Sequence, residues 1–420
     1  MPFRPDHDPP ALDRSLPVVL LRTDRNPFHH GTLGAIRSLG RAGVPVHALL
    51  EDRLVPAAHS RHLRGRHPWG PSPRRDPGAL TKHLHRVAAR AATRPGVRPL
   101  LVPLDDAGAI FIAERAHDLS PAFDFPEQEP SAPVRVADKS MLLAQCDRYG
   151  IDCPESVLPG SRAELDEAVA HLGLPLVAKW SRPWLLPRGH RSTVVLDRAA
   201  AVHRLFDLAG TEPCAGAGPL ILQRRIPPDG GDWFFHGHFD RDQNCVFGGT
   251  GRKHLAHPPE AGHTVAGEWV LNPVLEGLAH KIVTMLGVRG IVDLDFRFDT
   301  VTGTYRLLDF NPRLGAQFRL FHDAGGLDLV RALHLERSGR DVPTARPRYG
   351  RTLLVEHQFL HHTLTRPGPR ATSCRKVYRA LRTAAEPAWF AADDPLPFLT
   401  LGMRVMALGM RSVVTGRGKG

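Results

Sequence analysis

Acidic and amide side chains alternate with apolar ones over residues 290–313. Two runs, GIVDLDFRFD and YRLLDFNPR, flank a short turn that contains glycine. Alternating runs around such a turn predict a β-hairpin. A turn centred near residue 302 places Asp295 opposite Asp309, with Asn311 one pleat away. Two carboxylates and one amide oxygen are ligands that suit Mg²⁺.

Facing carboxylates in a strand ladder repel each other, at a cost of roughly 0.2–1 kcal/mol. A divalent cation held by Asp295 and Asp309 would offset that cost, whereas the alternative is a solvated acidic face. The opposite face of the first strand is apolar, which places the hairpin inside a domain and favours the metal site. Arg313 follows Asn311 by two residues and is expected to reach a phosphate oxygen.

The elements ahead of the hairpin predict an open α/β domain. Strands at 18–21, 44–50 and 99–103 alternate with helical spacing. A helix between two strands favours a parallel pair with a right-handed crossover. We therefore expect a disordered leader at 1–15, followed by this α/β domain at 16–125.

A Pro-rich stretch at 121–133 marks the boundary to the rest of the chain. The residues that follow predict two α+β units, at 134–212 and 213–345, and then a basic extension at 346–420. The predicted elements of the two units are helices at 139–149, 161–172 and 275–286 and strands at 175–179, 192–196, 219–223, 232–239, 244–250, 290–298 and 304–310.

The net charge of +12 is concentrated at the end of the chain. From Arg346 to Gly420 there are 13 lysines and arginines against four acids. Such a tail predicts an anionic partner, membrane lipid or RNA, or else a solvated tail. Residues 395–414 are apolar around Arg404 and Arg411, which predicts a helix on an anionic membrane surface or one docked on the protein. No specific nucleic acid is predicted.

The five cysteines contain no C-x-x-C pair, so the sequence favours reduced thiols over a disulfide framework or a zinc site. No signal-peptide segment and no run of 18 apolar residues is present. We expect a cytoplasmic protein, with membrane-peripheral binding as the alternative.

The set Asp295, Asp309 and Asn311, inside LLDFNPR, resembles the metal-binding end of the ATP-grasp superfamily. The resemblance covers roughly residues 15–340 and is nearest to carboxylate–amine ligases such as D-aspartate and D-alanine–D-alanine ligases. It implies a pre-ATP-grasp α/β domain before a two-subdomain ATP-grasp fold. It also implies ATP with Mg²⁺, or Mn²⁺ instead, and amide or peptide bond formation between amino acids or peptides through an acyl phosphate.

The same resemblance implies residues that hold the nucleotide phosphates. Lys139, at the start of a helix, and Lys179, at the end of the strand PLVAK, match the two phosphate lysines. Lysines supply point charge against a triphosphate of about four negative charges. Lys253 and Arg313 are implied to act on the γ-phosphate during transfer.

The segment QRRI resembles the hinge strand that contacts adenine. There Gln223 is expected to accept from the adenine amino group, while backbone atoms of Arg224 to Ile226 face the ring edge. Asp232 matches the acid that holds the ribose hydroxyls.

One stretch departs from the family pattern. Many members carry a glycine-rich phosphate lid after the second lysine, but residues 180–191 contain only Gly189. Arg188 and Arg191 are expected to supply charge where backbone amides are less free to wrap a phosphate. The alternative is a non-catalytic ATP-binding protein whose altered lid no longer supports transfer.

The sequence carries two weaker signals near histidines. Gly31 and Gly34 follow a strand, and Glu51 lies where a ribose-binding acid would sit in an NAD(P) enzyme. The G-x-G-x-x-G spacing is absent, so NAD(P) binding is disfavoured. The resemblance instead implies that His29, His30 and Gly31 line the acceptor-substrate site.

A second group, His254, His257 and His263, falls in a proline-containing segment without metal-ligand spacing. These three are predicted to be loop histidines. No G-x-S-x-G motif is present, so a serine hydrolase is not indicated.

Overall fold

The structure of the chain is a computed structural model. It describes residues 9–24, 26–73, 75–187, 189–212, 214–258, 262–365 and 384–414, with only the backbone for 364, 365 and 408–414. The helices are α1 His30–Arg41, α2 Pro77–Ala91, α3 Asp106–Glu114, α4 Ala116–Leu119, α5 Ala132–Ala137, α6 Lys139–Tyr149, α7 Arg162–Leu172, α8 Ala199–Ala209, α9 Pro273–Leu286, α10 Leu329–Arg337, α11 Glu356–Thr365 and α12 Leu396–Val414. The strands are β1 Val18–Leu21, β2 Val46–Leu50, β3 Gly65–Pro68, β4 Leu100–Pro103, β5 Ser156–Val157, β6 Leu176–Trp180, β7 Thr193–Leu196, β8 Leu220–Arg224, β9 Asp232–Phe239, β10 Cys245–His257, β11 His263–Trp269, β12 Gly290–Asp299, β13 Thr304–Asn311, β14 Thr352–Leu354 and β15 Glu386–Pro387.

The N-terminal sheet is parallel, in the order β3-β2-β1-β4. Its central strand β1 is apolar and fully buried, as expected for a strand covered on both faces. The predicted β-α-β unit is confirmed. The polar strand β3 and the helix α2 were not predicted, because GRHP shows no apolar alternation.

The predicted leader at 1–15 is partly wrong. Residues 1–8 lie outside the described residues, but Leu12 and Leu16 are buried in the same core cluster as Val18. The backbone oxygen of Ala11 also accepts a hydrogen bond of 2.9 Å from Arg340. The chain therefore joins the fold by Ala11, because a leucine beside the first strand finds apolar partners there.

A second sheet, β5-β8-β6-β7, is antiparallel and has its own apolar core under α7 and α8. Helix α6 begins at Lys139, as predicted. The side chain of Asp138 caps it by accepting from the backbone N–H of Ser140 and Met141. Gly150 ends it in the left-handed conformation, at φ 62°.

The third sheet has seven strands, in the order β13-β12-β9-β10-β11-β14-β15. It is antiparallel except between β14 and β15. The last two strands come from the region predicted as a basic extension beyond 345, so that region is built into the main sheet. Three and two residues are too few to show an alternating pattern in sequence.

Candidate functional site

The hairpin of β12 and β13 pairs Asp295 with Asp309, as predicted. The reason differs from the expected one. Near the turn Asp299 pairs with Thr304, and an uninterrupted ladder from there would place Asp295 opposite Leu308. A β-bulge inserts Leu308 as an extra residue and so restores the pairing of the two carboxylates.

Two buried lysines, one on β6 of the second sheet and one at the start of α6, meet the bulge. Lys179, near the end of β6, donates to the Leu308 backbone oxygen at 2.8 Å. Lys139, at the start of α6, donates to Asp309 Oδ1 at 2.5 Å. Burial, with a further contribution from the Lys139 charge, lowers the pKa of Lys179 to about 8. The structure thus brings both predicted phosphate lysines to the predicted metal strand.

Lys253 reaches the other carboxylate from β10. Its Nζ lies 2.6 Å from Asp295 Oδ1, and that oxygen is buried without a well-aligned hydrogen bond. Burial lowers the pKa of Lys253, but Asp295, Asp232 and Asp293 together outweigh burial and the net shift is upward. Burial also raises the pKa of Asp295, against the effect of Lys253. An ion pair therefore sits at each predicted metal-ligating carboxylate.

Arg313 joins the hairpin to the N-terminal domain. Its Nη1 lies 2.6 Å from Asp293 Oδ2, and its Nε lies 3.5 Å from Asp106 Oδ1. On the other side of Asp293, His236 Nε2 lies 3.0 Å from Oδ1. Burial alone would raise the pKa of Asp293, but His236 and Arg313 hold it well below its usual range. A side chain at Gly315 would overlap His236, so glycine allows the loop to cross this group.

Sequence reasoning missed His236 and Asp106 as neighbours of this site. His236 pairs with Asp293 across β9 and β12, whose pairing spans more than 50 residues and is not a hairpin. Burial raises the pKa of Asp106 to about 6, although Arg313 opposes the shift. The WFFHGHF alternation placed the histidines of β9 on one face, but gave no sign of which strand that face meets.

The residues present fit a magnesium ion. Asp295 and Asp309 keep 24% and 27% of their side chains exposed, so a ligand can approach them. Asn311 donates through Nδ2 to the Asp293 backbone oxygen, which leaves its Oδ1 to serve as a ligand. Within the described ranges no three His, Cys, Asp or Glu side chains converge as a metal site. The predicted set has two carboxylates and an amide, the hard oxygen donors that Mg²⁺ takes.

The predicted adenine contacts lie on and after β8. Gln223 is buried, and its Nε2 donates to Ser156 Oγ at 2.9 Å. Its side-chain oxygen is not used in that bond, and this is the atom predicted to accept from the adenine amino group. The backbone N–H of Arg224 already donates to Glu155. Backbone contact to adenine through that N–H therefore stays a prediction that requires an exchange of partners.

The predicted ribose acid is held by an arginine from the hairpin. Asp232 pairs with Arg297 across β9 and β12, through two N–O contacts of 2.6 and 3.0 Å. Arg297 also donates to the Ile226 backbone oxygen at 2.9 Å. Arg297 thus links the hinge, the predicted ribose acid and the metal strand β12. Nothing in the sequence indicates this link.

The first part of the predicted lid is anchored to the rest of the fold. The backbone N–H of Arg182 donates to Ala217, and its Nε donates to Asp138 Oδ2 at 2.7 Å. The Ser181 backbone oxygen accepts from the N–H of Lys139 at 2.9 Å. Arg188 lies outside the described residues, and Gly189 has φ of 92°. The start of the stretch therefore positions Lys139.

The predicted acceptor loop lies against the segment that follows the hairpin. His29 caps α1 by accepting from the backbone N–H of Thr32 through Nδ1 at 3.2 Å. Burial, with the charge of Arg22 next, lowers the pKa of His29 well below its usual value. A side chain at Gly31 would lie 2.8 Å from the Ala316 backbone. Glu51, the acid of the NAD(P) alternative, is paired with Arg22.

The prediction of three loop histidines is wrong. His254 and His257 are on β10 and His263 begins β11, because β10 runs seven residues past the predicted end at 250. His254 pairs with Glu268 at 2.7 Å on the next strand. His263 feels the charges of Lys253 and Arg313 in addition to burial, which together lower its pKa. His263 therefore lies near Lys253 and Arg313, although it was predicted to be a loop histidine outside the site.

Comparison with known proteins gives structural matches only. No protein-family model and no curated protein matches the sequence. The N5-carboxyaminoimidazole synthetase of Staphylococcus aureus matches with a TM-score of 0.59 at 12% identity, over 85% of this chain and 87% of that one. An L-amino acid ligase from Bacillus licheniformis matches with a TM-score of 0.58 at 14% identity, over 81% and 79%. A biotin carboxylase from Campylobacter jejuni, in a β,γ-ATP complex, matches at 0.57 and 14%, over 80% and 74%.

These matches and the geometry agree on architecture. A parallel N-terminal sheet, a small antiparallel sheet and a large antiparallel sheet occur in that order along the chain. Lys179 of the small sheet and Lys139 of α6 meet the terminal hairpin of the large sheet. The similarity extends over four fifths of the chain or more. The chain has an ATP-grasp fold.

Proposed function

We propose that this protein is an ATP- and Mg²⁺-dependent ligase that joins a carboxylate to an amine through an acyl phosphate. The observation that carries the proposal is the set of ion pairs on the hairpin. Lys139 and Lys253 each contact one predicted metal-ligating carboxylate, and Lys179 contacts the bulge between β12 and β13. We call these three lysines, with Asp295 and Asp309, the phosphate end of the candidate site.

The phosphate end supplies both signs of charge that Mg²⁺–ATP needs. Asp295, Asp309 and Asn311 would hold the ion, which screens the charge of the β- and γ-phosphates when bound. Phosphate oxygens would then replace the carboxylates as partners of the lysines. In-line phosphoryl transfer needs positioning and charge neutralisation more than covalent chemistry by the protein.

In the first step a substrate carboxylate oxygen attacks the γ-phosphorus and the bond to the bridging oxygen of ADP breaks. In the second step an amine nitrogen attacks the acyl carbon, inorganic phosphate leaves, and the nitrogen loses a proton. Arg313 would bind the carboxylate or the transferred group, and its position between the hairpin and the N-terminal domain supports this role. No protein nucleophile is required.

The second candidate is a nucleotide-binding protein without transfer activity. It is favoured by the anchored start of the lid, where Arg182 is tied to Asp138 and only one glycine remains. The two candidates agree on ATP binding and differ on turnover. A protein that binds Mg²⁺–ATP but never releases ADP would be of this second kind.

The test is ADP release with ATP and Mg²⁺ across a panel of amino acids, singly and in pairs, with bicarbonate as a further carboxylate. We expect release that depends on a carboxylate and an amine, and its loss in Asp309→Ala. The matched control is Asp299→Ala, at the turn end of the same hairpin. Release that survives in Asp309→Ala would contradict the proposal, and thermal melts of both variants would show that each is folded.

A further inference from the structure

Helix α12 leaves about half of its circumference uncovered. Its other side packs on the N-terminal domain through the buried residues Thr400 and Leu401. Arg404 on that side contacts both carboxylate oxygens of Asp52, at 3.1 and 3.2 Å. The exposed large side chains between residues 396 and 407 are all apolar: Leu396 55%, Phe398 36%, Leu399 56%, Met403 60%, Val405 42% and Met406 62%.

The apolar surface of α12 is too broad for the contact strip of a coiled coil. At about 100° per residue, Leu396, Leu399, Met403 and Met406 share a stripe roughly 80° wide. Phe398 and Val405, together with small residues between them, extend the surface to roughly half the helix. A two-stranded coiled coil buries only a strip at positions a and d. A broad apolar surface without a charged side chain is typical of a helix that lies in a lipid interface, where the lipid covers the whole exposed side.

The sequence around the helix supplies positive charge. Residues 366–383 contain six lysines and arginines and no acid, and Arg417 and Lys419 follow the helix. Both segments lie outside the described residues. Positive charge close in sequence to an apolar helix favours binding to acidic lipid headgroups.

The length and apolarity of α12 bear on whether it crosses a bilayer or lies on its surface. None of the helices within the described parts of the chain has the length and apolarity needed to span a membrane. One side of α12 is also occupied by Asp52 and the N-terminal core. The exposed side can therefore enter the headgroup region while the opposite side stays on the protein.

We infer that α12 binds the surface of an anionic lipid bilayer, with Leu396, Leu399, Met403 and Met406 entering the interface. The helix axis lies parallel to the membrane. The ATP-grasp fold is held there by the contacts of α12 with the N-terminal domain. This inference does not depend on which reaction the protein catalyses.

The test is flotation of the full chain with vesicles of equimolar phosphatidylglycerol and phosphatidylcholine, compared with pure phosphatidylcholine. We expect binding to the anionic vesicles, weaker at high salt. Met403→Glu and Met406→Glu should each weaken binding to the anionic vesicles by roughly tenfold, since each places a charge where an apolar side chain would enter the lipid interface. The matched control is Val274→Glu, an exposed apolar residue at the start of α9, which should bind like the parent.

Three outcomes would overturn the inference. Equal flotation with both vesicle types would exclude recognition of an anionic surface. Unchanged flotation of the Met403→Glu, Met406→Glu double variant would exclude α12 as the contact. A stable dimer that binds no vesicle and dissociates in the double variant would show that a second copy of the chain covers α12 instead.

Discussion

The two ends of the candidate site, the phosphate end and the N-terminal loop at His29, are built in different ways. At the phosphate end, buried lysines and carboxylates contact each other through side-chain tips. At the N-terminal loop that was predicted to line the acceptor site, His29 is neutral and caps a helix, and glycines allow close backbone contact. Charged side-chain groups can exchange one ionic partner for another, whereas tightly packed backbone atoms cannot change neighbours without moving the loop. The first end is therefore suited to bind and release a nucleotide, and the second to fix a shape.

The largest expected effect is at the residue between the two ends. Arg313→Ala should lower kcat/KM for ADP release by roughly 10²–10³-fold, because it removes the cation that faces Asp293 and Asp106. Arg306→Ala, on the same hairpin but in partly exposed pairs, should stay within about twofold. Steady-state kinetics on both variants would measure this. Equal losses of kcat/KM in the two variants would mean that Arg313 has no special role in the reaction.

The next effect is a pH dependence at the phosphate end. Because the pKa of Lys179 is about 8, the free protein loses this positive charge as pH rises through 8. One pH unit higher, about a tenth of the molecules keep it, so kcat/KM for ATP should fall by up to about tenfold. In Lys179→Arg the fall should move to higher pH, since a guanidinium stays charged. An identical profile in this variant would exclude Lys179 as the titrating group.

Packing at the second end is tested by a glycine pair. Gly34→Ala should lower the free energy of unfolding by about 1–3 kcal/mol, because its Cβ would lie 2.7 Å from the buried side chain of Arg319. Gly277→Ala, in a helix with open space, should raise it by up to about 1 kcal/mol. Denaturant titration of both variants gives the two values. A tolerated Gly34→Ala would show that this end is as adaptable as the other.

The smallest effect separates two roles of His29. His29→Ala should cost about 1 kcal/mol of stability through loss of the cap on α1, and His29→Asn should restore it. If His29 only caps the helix, His29→Asn keeps full activity as well. If it lines the acceptor site, His29→Asn regains stability but not the KM for the amine. Thermal melts with a KM measurement on both variants distinguish these roles.

Local patterns predicted the parts of the site that lie close in sequence. The helix start at Lys139 and the strand that carries Lys179 near its end follow from the local sequence pattern. The bulge at Leu308 could not be predicted, because one extra residue changes the register without changing the alternation enough to be seen. The predicted pairing was correct at the carboxylates although the ladder near the turn runs one residue out of that register.

Contacts between distant strands were beyond sequence reasoning. The pairing of His236 with Asp293 and of Asp232 with Arg297 depends on β9 lying beside β12. Nothing local in either strand specifies that neighbour. The same holds for β14 and β15, which are too short to show a period and which bring the basic C-terminal region into the main sheet.

The contact of Lys179 with β13 has a mechanical consequence. Lys179 lies on the small sheet and its partner Leu308 lies on the large sheet, and the two sheets have separate apolar cores. Lys139 differs, because the buried side chains of its helix α6 pack in the core of the large sheet. A triphosphate that takes over Lys179 would replace this bond between the two sheets with its own bridge. Nucleotide binding and the angle between the two sheets are then one equilibrium, in which each shifts the other.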